Sequence, residues 1–190
     1  MNREQRAKWD ERYRDASFRE PEPSLLEALP LMGRGLDLDV AAGEGRNSVA
    51  LARAGFTVVA ADFSGVAMSW LAERARREGL PIMPVVADLE ASIPLRPGSF
   101  DAVVNISYLD RELVPGLKRL LRPGGVLLFD TFLIDQAKSG HPREPRFLLG
   151  HYELYDLLSD MELLRYREGI VTYSAGAQAW RAAALARLKD

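Results

Sequence analysis

The feature that most restricts the fold of this 190-residue chain is an alternation between short apolar segments and segments of helical character. Helix-forming segments such as "GRNSVALARAG" and "SGVAMSWLAERARREG" separate the apolar ones. Short apolar strands that alternate with helices predict a mostly parallel sheet with helices on both faces. The five segments of strand type are, in order, "GLDLDVAA", "FTVVAAD", "PIMPVVAD", "FDAVVNI" and "VLLFDTF".

Residues that begin and end helices flank these segments. Ser64 is a good N-cap for a helix that closes at Gly79, where glycine favours a left-handed cap. In the charged N-terminal segment, Trp9 and Tyr13 lie four residues apart, so a helix places both aromatic rings on one face. The prolines of "REPEPS" end that helix and predict a short linker to the body of the protein.

Composition narrows the class of protein. A formal net charge of -2 provides no overall field for nucleic acid or an acidic membrane surface, so nucleic-acid binding is disfavoured. The chain has no cysteine, which excludes disulfides, cysteine metal ligands and a cysteine nucleophile, and no metal site is expected. The charged start lacks the apolar core of a signal peptide, and no apolar run approaches the ~20 residues that span a bilayer. We therefore expect a soluble cytoplasmic protein with no membrane contact.

Polar and small residues cluster where the strands end. In an open parallel sheet, ligands bind beyond the carboxyl ends of the strands. Asp39, Asp62 and Asp88 each lie at such an end, and Gly43 and Gly45 let the backbone approach a ligand closely. Three carboxylates around one loop repel a pyrophosphate. They suit a ligand that offers an amine, ribose hydroxyls and a cationic centre.

The order of these motifs resembles that of the class I S-adenosylmethionine-dependent methyltransferases. A lone glycine loop is weak evidence, but five matches in order and in strand context are strong together. The chain is similar in particular to their small stand-alone members, the tellurite-resistance and thiol methyltransferase-like group, in which "GEGRN" is typical. The matching segments are "LDVAAGEGRN", "VVAADFS", "VVADLE", "FDAVVN" and "LLRPGGVLLFDTF".

The resemblance implies a Rossmann-like α/β fold: a doubly wound, seven-stranded sheet, mostly parallel, with an antiparallel last strand and helices on both faces. It implies that "MELLRYREG" and "AQAWRAAALARL" form the final hairpin, although alanine content alone favours a helix for the second segment. It also divides the chain into an N-terminal helical lid, residues 1–20, and a methyltransferase domain, residues 21–190.

The resemblance assigns S-adenosyl-L-methionine as the cofactor. Asp39 is expected to receive the methionine amine, Asp62 to accept hydrogen bonds from the ribose hydroxyls, and Asp88 to read the adenine edge. Each aspartate alone has a simpler reading as a cap for the following turn. The other expected cofactor-binding residues are Tyr13 of the lid, Ala41, Gly43 and Gly45 of the loop, Asn47, Phe63, Ser64, Leu89 and Asn105.

Ala41 stands where the family usually has glycine. It adds one methyl group at a tight turn, and alanine is a familiar variant in such loops. We therefore expect the substitution to be compatible with cofactor binding.

The acceptor side is expected after the fourth and fifth strands. Asn105, Tyr108, Arg111 and His141 are the candidate catalytic residues, and Arg111 has the geometry to hold an oxyanion in a bidentate manner. Two simpler readings stay open: Asp110 caps a helix with Arg111 solvated, or the loop around His141 is itself solvated. For the second histidine, a capping or surface role is favoured.

Methyl transfer is an in-line displacement, so a soft anionic nucleophile needs no base. The segment "NISYLDREL" lacks the Asn-Pro-Pro-Tyr-like motif of enzymes that methylate amino groups of nucleic acids. The sequence therefore predicts a methyltransferase for a small-molecule acceptor, either anionic or a soft nucleophile. The alternatives are an RNA or protein methyltransferase, a non-catalytic cofactor-binding protein, and an NAD-dependent oxidoreductase, whose G-x-G-x-x-G pattern fails at Ala41 and Arg46.

Overall fold

A computed structural model describes residues 3–14, 19–89 and 95–189 of the chain. It contains one seven-stranded sheet in the order β3-β2-β1-β4-β5-β7-β6, in which β7 runs antiparallel to the other six strands. The strands are β1 (Leu36–Val40), β2 (Thr57–Asp62), β3 (Ile82–Val86), β4 (Phe100–Ile106), β5 (Leu121–Phe132), β6 (Glu162–Thr172) and β7 (Gln178–Arg187).

Helices cover both faces of this sheet, as the alternation of segments predicts. Within the described ranges, no helix combines the length and apolar character that crossing a bilayer requires. Short 3₁₀ helices span Leu29–Leu31 and Pro145–Phe147. The helices are α1 (Arg3–Arg14), α2 (Pro23–Ala28), α3 (Arg46–Arg53), α4 (Gly65–Glu78), α5 (Val114–Leu120), α6 (Gln136–Ser139) and α7 (Glu153–Leu157).

The central strands are buried on both faces, which explains their nearly continuous apolar sequence. Successive residues of a strand point to opposite faces, so neighbours in sequence enter different cores. Val103 packs with Leu127 and Phe129 on one face, whereas Val104 packs with Leu128 on the other. All five side chains are at most 2% exposed.

The strand order determines where a ligand-binding crevice forms at the edge of the sheet. β1 lies between β2 and β4, with Val40 in register with both Ala61 and Asn105. The order of strands reverses at β1, so the loops that follow β1 and β4 diverge to opposite faces and leave a crevice between them.

The final hairpin confirms the prediction made against helix propensity. β7 pairs with β5 on one side and with β6 on the other. Ala182, Ala184 and Ala186 pack into one core and Leu185 into the other. Burial between two strands therefore overrides the helix preference of alanine in this segment.

Three local predictions differ in their boundaries. The segment "RPGG" belongs to β5, which begins at Leu121 and shows a register shift opposite Phe100 and Ala102. α5 begins only at Val114, followed by Pro115, because proline lacks the N–H that an interior helical position donates. α7 covers five residues, Glu153–Leu157, instead of the whole of "HYELYDLLSD".

Candidate functional site

A cavity of about 730 Å³ opens at the carboxyl ends of the strands. This volume lies within the range of small-molecule sites, about 300–1,000 Å³. One wall comprises residues 41–44 of the glycine loop (residues 41–45), together with α1 and the end of β2. The opposite wall, called the outer wall below, comprises Ser107, Tyr108, Phe132 and the segment 141–147.

The backbone of the glycine loop is in the left-handed region at three positions, with φ of 53° at Ala41, 55° at Gly43 and 79° at Gly45. A Cβ on Gly45 would lie 2.4 Å from the side chain of Leu71, so only glycine fits that position without rearrangement. Ala41 adopts this conformation despite its methyl group, at a cost of roughly 1–2 kcal/mol. It lines the cavity, as does Gly43.

Asp62 ends β2 and ties the glycine loop to α4. Its Oδ2 accepts a hydrogen bond from the backbone amide of Gly43, and its Oδ1 accepts one from the amide of Ser64, both at 2.8 Å. Burial raises the pKa of this carboxyl, and the backbone hydrogen bonds oppose the shift. The carboxylate lines the cavity with acceptor capacity left on each oxygen.

Asp39 lies beneath the loop and outside the cavity lining. Its Oδ2 accepts a hydrogen bond from the Ser48 hydroxyl at 2.5 Å. Burial raises the pKa of Asp39 to about 7, against the stabilising effect of Ser48 and Arg46 on the carboxylate. Sequence reasoning missed Ser48, although a serine nine residues after a motif aspartate gives no distinctive signal.

Helix α1 covers one side of the cavity. Asp10 accepts a hydrogen bond from the hydroxyl of Ser64 at 2.5 Å, and Arg6 stacks over the ring of Phe63 at 5.4 Å. Ser64 also caps α4, as predicted, by accepting a hydrogen bond from Ala67 at 3.1 Å. These contacts hold α1 against the end of β2.

The aromatic residues of α1 share one face, as predicted. The rings of Trp9 and Tyr13 stack with centroids 5.9 Å apart, and both line the cavity. A Cβ on Gly43 would lie 2.7 Å from the Tyr13 hydroxyl, which places that hydroxyl directly over the glycine loop. Burial and the nearby carboxylate of Asp62 raise the pKa of Tyr13, so this phenol stays protonated at neutral pH.

The remaining predicted cofactor residues divide into two groups. Asn47, Phe63 and Leu89 line the cavity, and the Oδ1 of Asn47 also accepts a hydrogen bond from the backbone amide of Glu22 at 3.0 Å. Asp88 is half-buried beyond β3 and lies outside the lining. Gly45 and Ser64 are also outside the lining, where they shape the backbone.

Asn105 is buried at the end of β4. Its Nδ2 donates to the backbone carbonyl of Tyr108 at 2.8 Å and thereby fixes the turn that carries Tyr108 into the cavity. Its Oδ1 is buried and has no hydrogen-bond partner within the described part of the chain. Asn105 itself lies behind the lining and not in it.

The structure does not place Arg111 at the cavity, contrary to its expected contact with the acceptor. Both oxygens of Glu153 accept hydrogen bonds from its guanidinium, and the carbonyl of Leu148 accepts another at 2.9 Å. A further hydrogen bond reaches the carbonyl of Arg146 at 3.3 Å. These partners use the bidentate geometry inside the protein, so Arg111 anchors the segment that follows His141.

The two histidines differ in environment. His141 is exposed and lines the cavity next to Arg143, Arg146 and Phe147. His151 instead lies between two carboxylates, 2.8 Å from Asp135 and 3.2 Å from Glu168, away from the cavity.

Basic side chains outnumber acidic ones around the cavity. The six basic residues of the lining are Lys8, Arg12, Arg19, Arg46, Arg143 and Arg146, and the three acidic residues are Glu44, Asp62 and Glu144. Arg19 pairs with Glu44 at 3.0 Å and Arg46 with the buried Glu22 at 2.8 Å. The excess of positive charge attracts anions to a site in which apolar walls reduce screening.

A buried ionic cluster beneath the outer wall was not predicted. The guanidinium of Arg181 donates to Oδ1 of Asp130 at 2.7 Å and lies 3.4 Å from Glu22. Ser24 donates to the other oxygen of Asp130. Asp130 interrupts the apolar segment "VLLFDTF", which was a usable signal, whereas Glu22 lay in the presumed linker.

Comparisons with known proteins agree with this geometry. Residues 38–125 match a family model described as a methyltransferase domain. A demethylmenaquinone methyltransferase from Beutenbergia cavernae is 42% identical over 101 residues, which cover 50% of this chain and 40% of that protein. The chain thus spans about half or less of the length of such curated relatives.

Solved structures share the fold. TehB from Haemophilus influenzae matches with a TM-score of 0.74 at 24% identity, over 88% of this chain and 62% of TehB. A 1,6-didemethyltoxoflavin-N1-methyltransferase from Burkholderia thailandensis, solved with S-adenosylhomocysteine, matches with a TM-score of 0.66 at 19% identity, over 89% and 80% of the two chains. Residues 38–125 of the chain therefore resemble a methyltransferase domain, and the chain shares the fold of TehB.

Proposed function

We propose that the protein transfers a methyl group from S-adenosylmethionine to a small anionic acceptor. The observation that carries this proposal is one cavity with two chemically different walls: a glycine loop with the Asp62 carboxylate on one side, and an outer wall with Arg143 and Arg146 on the other. Its volume suits a cofactor and a small molecule, and the relatives named after quinone precursors act on small molecules.

For the cofactor, the proposed contacts follow the end of each strand. Asp62 receives the ribose hydroxyls with the lone pairs that Gly43 and Ser64 leave available. Leu89 and Phe63 enclose the adenine, with Asp88 at its edge. Asn105 acts through Tyr108, whose carbonyl accepts a hydrogen bond from its Nδ2, and its orphan Oδ1 is available to a donor of the cofactor. Ala41 and Asn47 are further proposed cofactor contacts, whereas Asp39 and Gly45, which lie outside the lining, are proposed to act through the backbone of the glycine loop.

We also propose that residues 1–20 act as a lid on a methyltransferase domain formed by residues 21–190. The support is the attachment of α1 to the end of β2, through Asp10 on Ser64 and Arg6 on Phe63, and the position of Tyr13 over Gly43. Opening this attachment gives the cofactor access, and closing it excludes water from the reacting atoms. Residues 1, 2 and 15–18 of this segment lie outside the described part of the chain.

When bound, the cofactor supplies an electrophilic methyl carbon on a sulfonium. The protein's part is to hold the acceptor atom in line with that carbon and to exclude water. Arg143 and Arg146 bind the anionic group, while Phe132 and Phe147 contact the apolar part of the acceptor. A soft or already ionised nucleophile needs no base, and for a hydroxyl acceptor His141 on the outer wall is the proposed proton acceptor.

The cofactor half of the proposal is tested by calorimetric titration of the full chain with S-adenosylmethionine and S-adenosylhomocysteine. We expect saturable binding of both and no displacement by NADH. The matched control is Arg53→Ala, which removes an exposed ion pair with Glu78 and leaves the cavity intact. A Kd of about 1 mM corresponds to a binding free energy of only about 4 kcal/mol. If the wild-type chain showed no binding even at about millimolar ligand, the proposal would be contradicted.

The acceptor half is tested by release of S-adenosylhomocysteine across a panel of aromatic carboxylates, thiols, metalloid oxyanions, quinols and RNA. We expect turnover with an anionic small molecule and a rise in its KM in an Arg143→Gln, Arg146→Gln double variant. Turnover restricted to RNA, with strong dependence of binding on salt, would instead establish the nucleic-acid alternative.

A further inference from the structure

Arg181 is a buried cation directly behind the outer wall. It lies on β7 and is 1% exposed. Its Nη2 donates to the hydroxyl of Ser107 at 2.9 Å, and its guanidinium lies over the ring of Phe132, 4.4 Å from the centroid. Both of these partners line the cavity, so the position of Arg181 determines the position of two side chains of the outer wall.

The same guanidinium is connected to the opposite wall through Glu22. The carboxylate of Glu22, 3.4 Å from Nε of Arg181, accepts hydrogen bonds from Arg46 at 2.8 Å and from the Tyr173 hydroxyl at 2.7 Å. Its backbone amide donates to Asn47 at 3.0 Å. Arg46 and Asn47 begin α3 directly after the glycine loop and line the cavity.

A purely structural role explains this cluster less well. Burying ions is costly, and well-packed apolar residues often stabilise a fold equally, so a buried ion pair is weak evidence for a role in stability. Ser107, moreover, adopts φ of +62°, a strained conformation for a residue other than glycine. Its hydroxyl is held by Arg181, and its backbone amide donates to the carbonyl of Asp130 at 2.8 Å. Strain that is held by a dedicated contact at a cavity wall indicates positioning.

We propose that Arg181 is a positioning residue that fixes the outer wall relative to the start of α3. The assignment of the two walls to acceptor and cofactor rests on the proposed function. Arg181 sets the outer wall directly, through Ser107 and Phe132, and sets the start of α3 through Glu22. Arg181 itself does not line the cavity and acts only through these neighbours.

The experiment compares Arg181→Met, Arg181→Lys and Glu22→Gln in the full chain. Arg187→Met is the matched control, because Arg187 lies on the same strand and forms a partly exposed pair with Glu162. Two quantities are measured below the unfolding temperature: the affinity for S-adenosylhomocysteine by calorimetry, and hydrogen exchange of the backbone amides of residues 106–109 by mass spectrometry. Hydrogen exchange reports local opening of the outer wall without any need for an acceptor.

We expect Arg181→Met to weaken S-adenosylhomocysteine binding about fivefold or more and to speed exchange at residues 106–109 about tenfold, since both connections are lost. Lysine keeps the charge beside Asp130 and Glu22 but cannot also reach Ser107. Arg181→Lys should therefore bind S-adenosylhomocysteine within about twofold of the wild-type affinity, while its exchange at residues 106–109 should be as fast as in Arg181→Met. Glu22→Gln should show the opposite pattern, with weaker binding and nearly normal exchange.

A structural role alone predicts lower thermal stability in these variants, with affinity and exchange equal to those of Arg187→Met, and that result would overturn the proposal. Should Arg181→Met fail to fold, the opposite patterns of Arg181→Lys and Glu22→Gln still decide it. A wild-type chain that binds no S-adenosylhomocysteine would defeat the proposed function instead. In that case, unchanged exchange in Arg181→Lys would also defeat the positioning role at the outer wall.

Discussion

The carboxylate of Asp62 accepts a hydrogen bond from the backbone amide of Gly43, with 2.8 Å between Oδ2 and N. The other oxygen of the same carboxylate accepts one from Ser64. A single side chain at the end of β2 therefore shapes the glycine loop and the start of α4, and still presents lone pairs to the cavity. Its removal is expected to affect the loop and the ligand together.

Replacement of Asp62 by alanine should weaken S-adenosylmethionine binding by about 1.5–3 kcal/mol, since charge-assisted hydrogen bonds are lost. Asp62→Asn retains one acceptor oxygen and should fall between alanine and the wild type. Calorimetric titration of the three proteins measures this order. Equal affinities across the series would remove Asp62 from the binding site.

Replacement of Ala41 by glycine should be tolerated. The left-handed conformation of Ala41 costs roughly 1–2 kcal/mol, and glycine removes that cost but gains entropy in the unfolded chain. The free energy of unfolding should thus stay equal or rise by up to about 1 kcal/mol, with cofactor affinity retained. Urea unfolding and calorimetry provide the two measurements.

Gly43→Ala is the matched comparison in the same loop. Its new methyl group would lie 2.7 Å from the Tyr13 hydroxyl. Alanine would also have to adopt a φ of 55°, which is a strained conformation for a residue other than glycine. This variant should lose both stability and affinity. If Ala41→Gly were instead the more harmful of the two, the assignment of strain in this loop would be wrong.

The sequence predicted those features around the cavity that are defined by neighbouring residues in the chain. The tight turn at Gly43 and Gly45, the position of Asp62 at the end of β2 and the Ser64 cap were predicted correctly, because each is defined by residues within one strand, loop and helix. Arg111 was misplaced since its partner Glu153 lies 42 residues away, and no local pattern indicates that pairing. The same holds for Arg181, whose partners come from three distant segments.

The fold, too, was predictable where local signals determine it and not where distant contacts do. Alternating strands and helices gave the parallel part of the sheet, since hydrophobic period and turn residues are local signals. The alanine-rich β7 required the family resemblance, because its strand conformation depends on burial between β5 and β6. The early start of β5 escaped prediction because "RPGG" ordinarily indicates a turn.

The raised pKa of Asp37 predicts that the stability of the protein depends on pH. Burial, followed by the nearby Asp101, raises the pKa of Asp37 to about 8, compared with about 3.9 in an unfolded chain. Between about pH 4 and 8 the folded state binds this proton and the unfolded state does not. Stability from Asp37 is therefore fully present below about pH 4 and falls as the pH rises, by about 1.4 kcal/mol per unit at most.

Asp37→Asn should remove this contribution to the slope, because asparagine does not titrate. The measurement is urea unfolding of the two proteins at about pH 5.5 and about pH 8.5. We expect the variant to gain stability relative to the wild type at the higher pH. The difference isolates Asp37 from Asp39, whose pKa is also raised by burial, to about 7. A constant difference at both pH values would contradict the shift.

Replacement of Arg111 by alanine should loosen the segment that carries His141 and Arg146 to the cavity. Arg111 holds this segment through Glu153 and the carbonyl of Leu148, so the exposed peptide bond after Arg146 becomes more accessible to trypsin. Limited proteolysis with mass spectrometry should show cleavage there about tenfold faster than in the wild type, with cofactor affinity unchanged. Arg53→Ala, which removes an exposed ion pair with Glu78, is the control and should leave the rate unaltered. Slow cleavage after Arg146 in the Arg111 variant would show that other contacts hold the segment, and would reopen a direct role for Arg111 toward the acceptor.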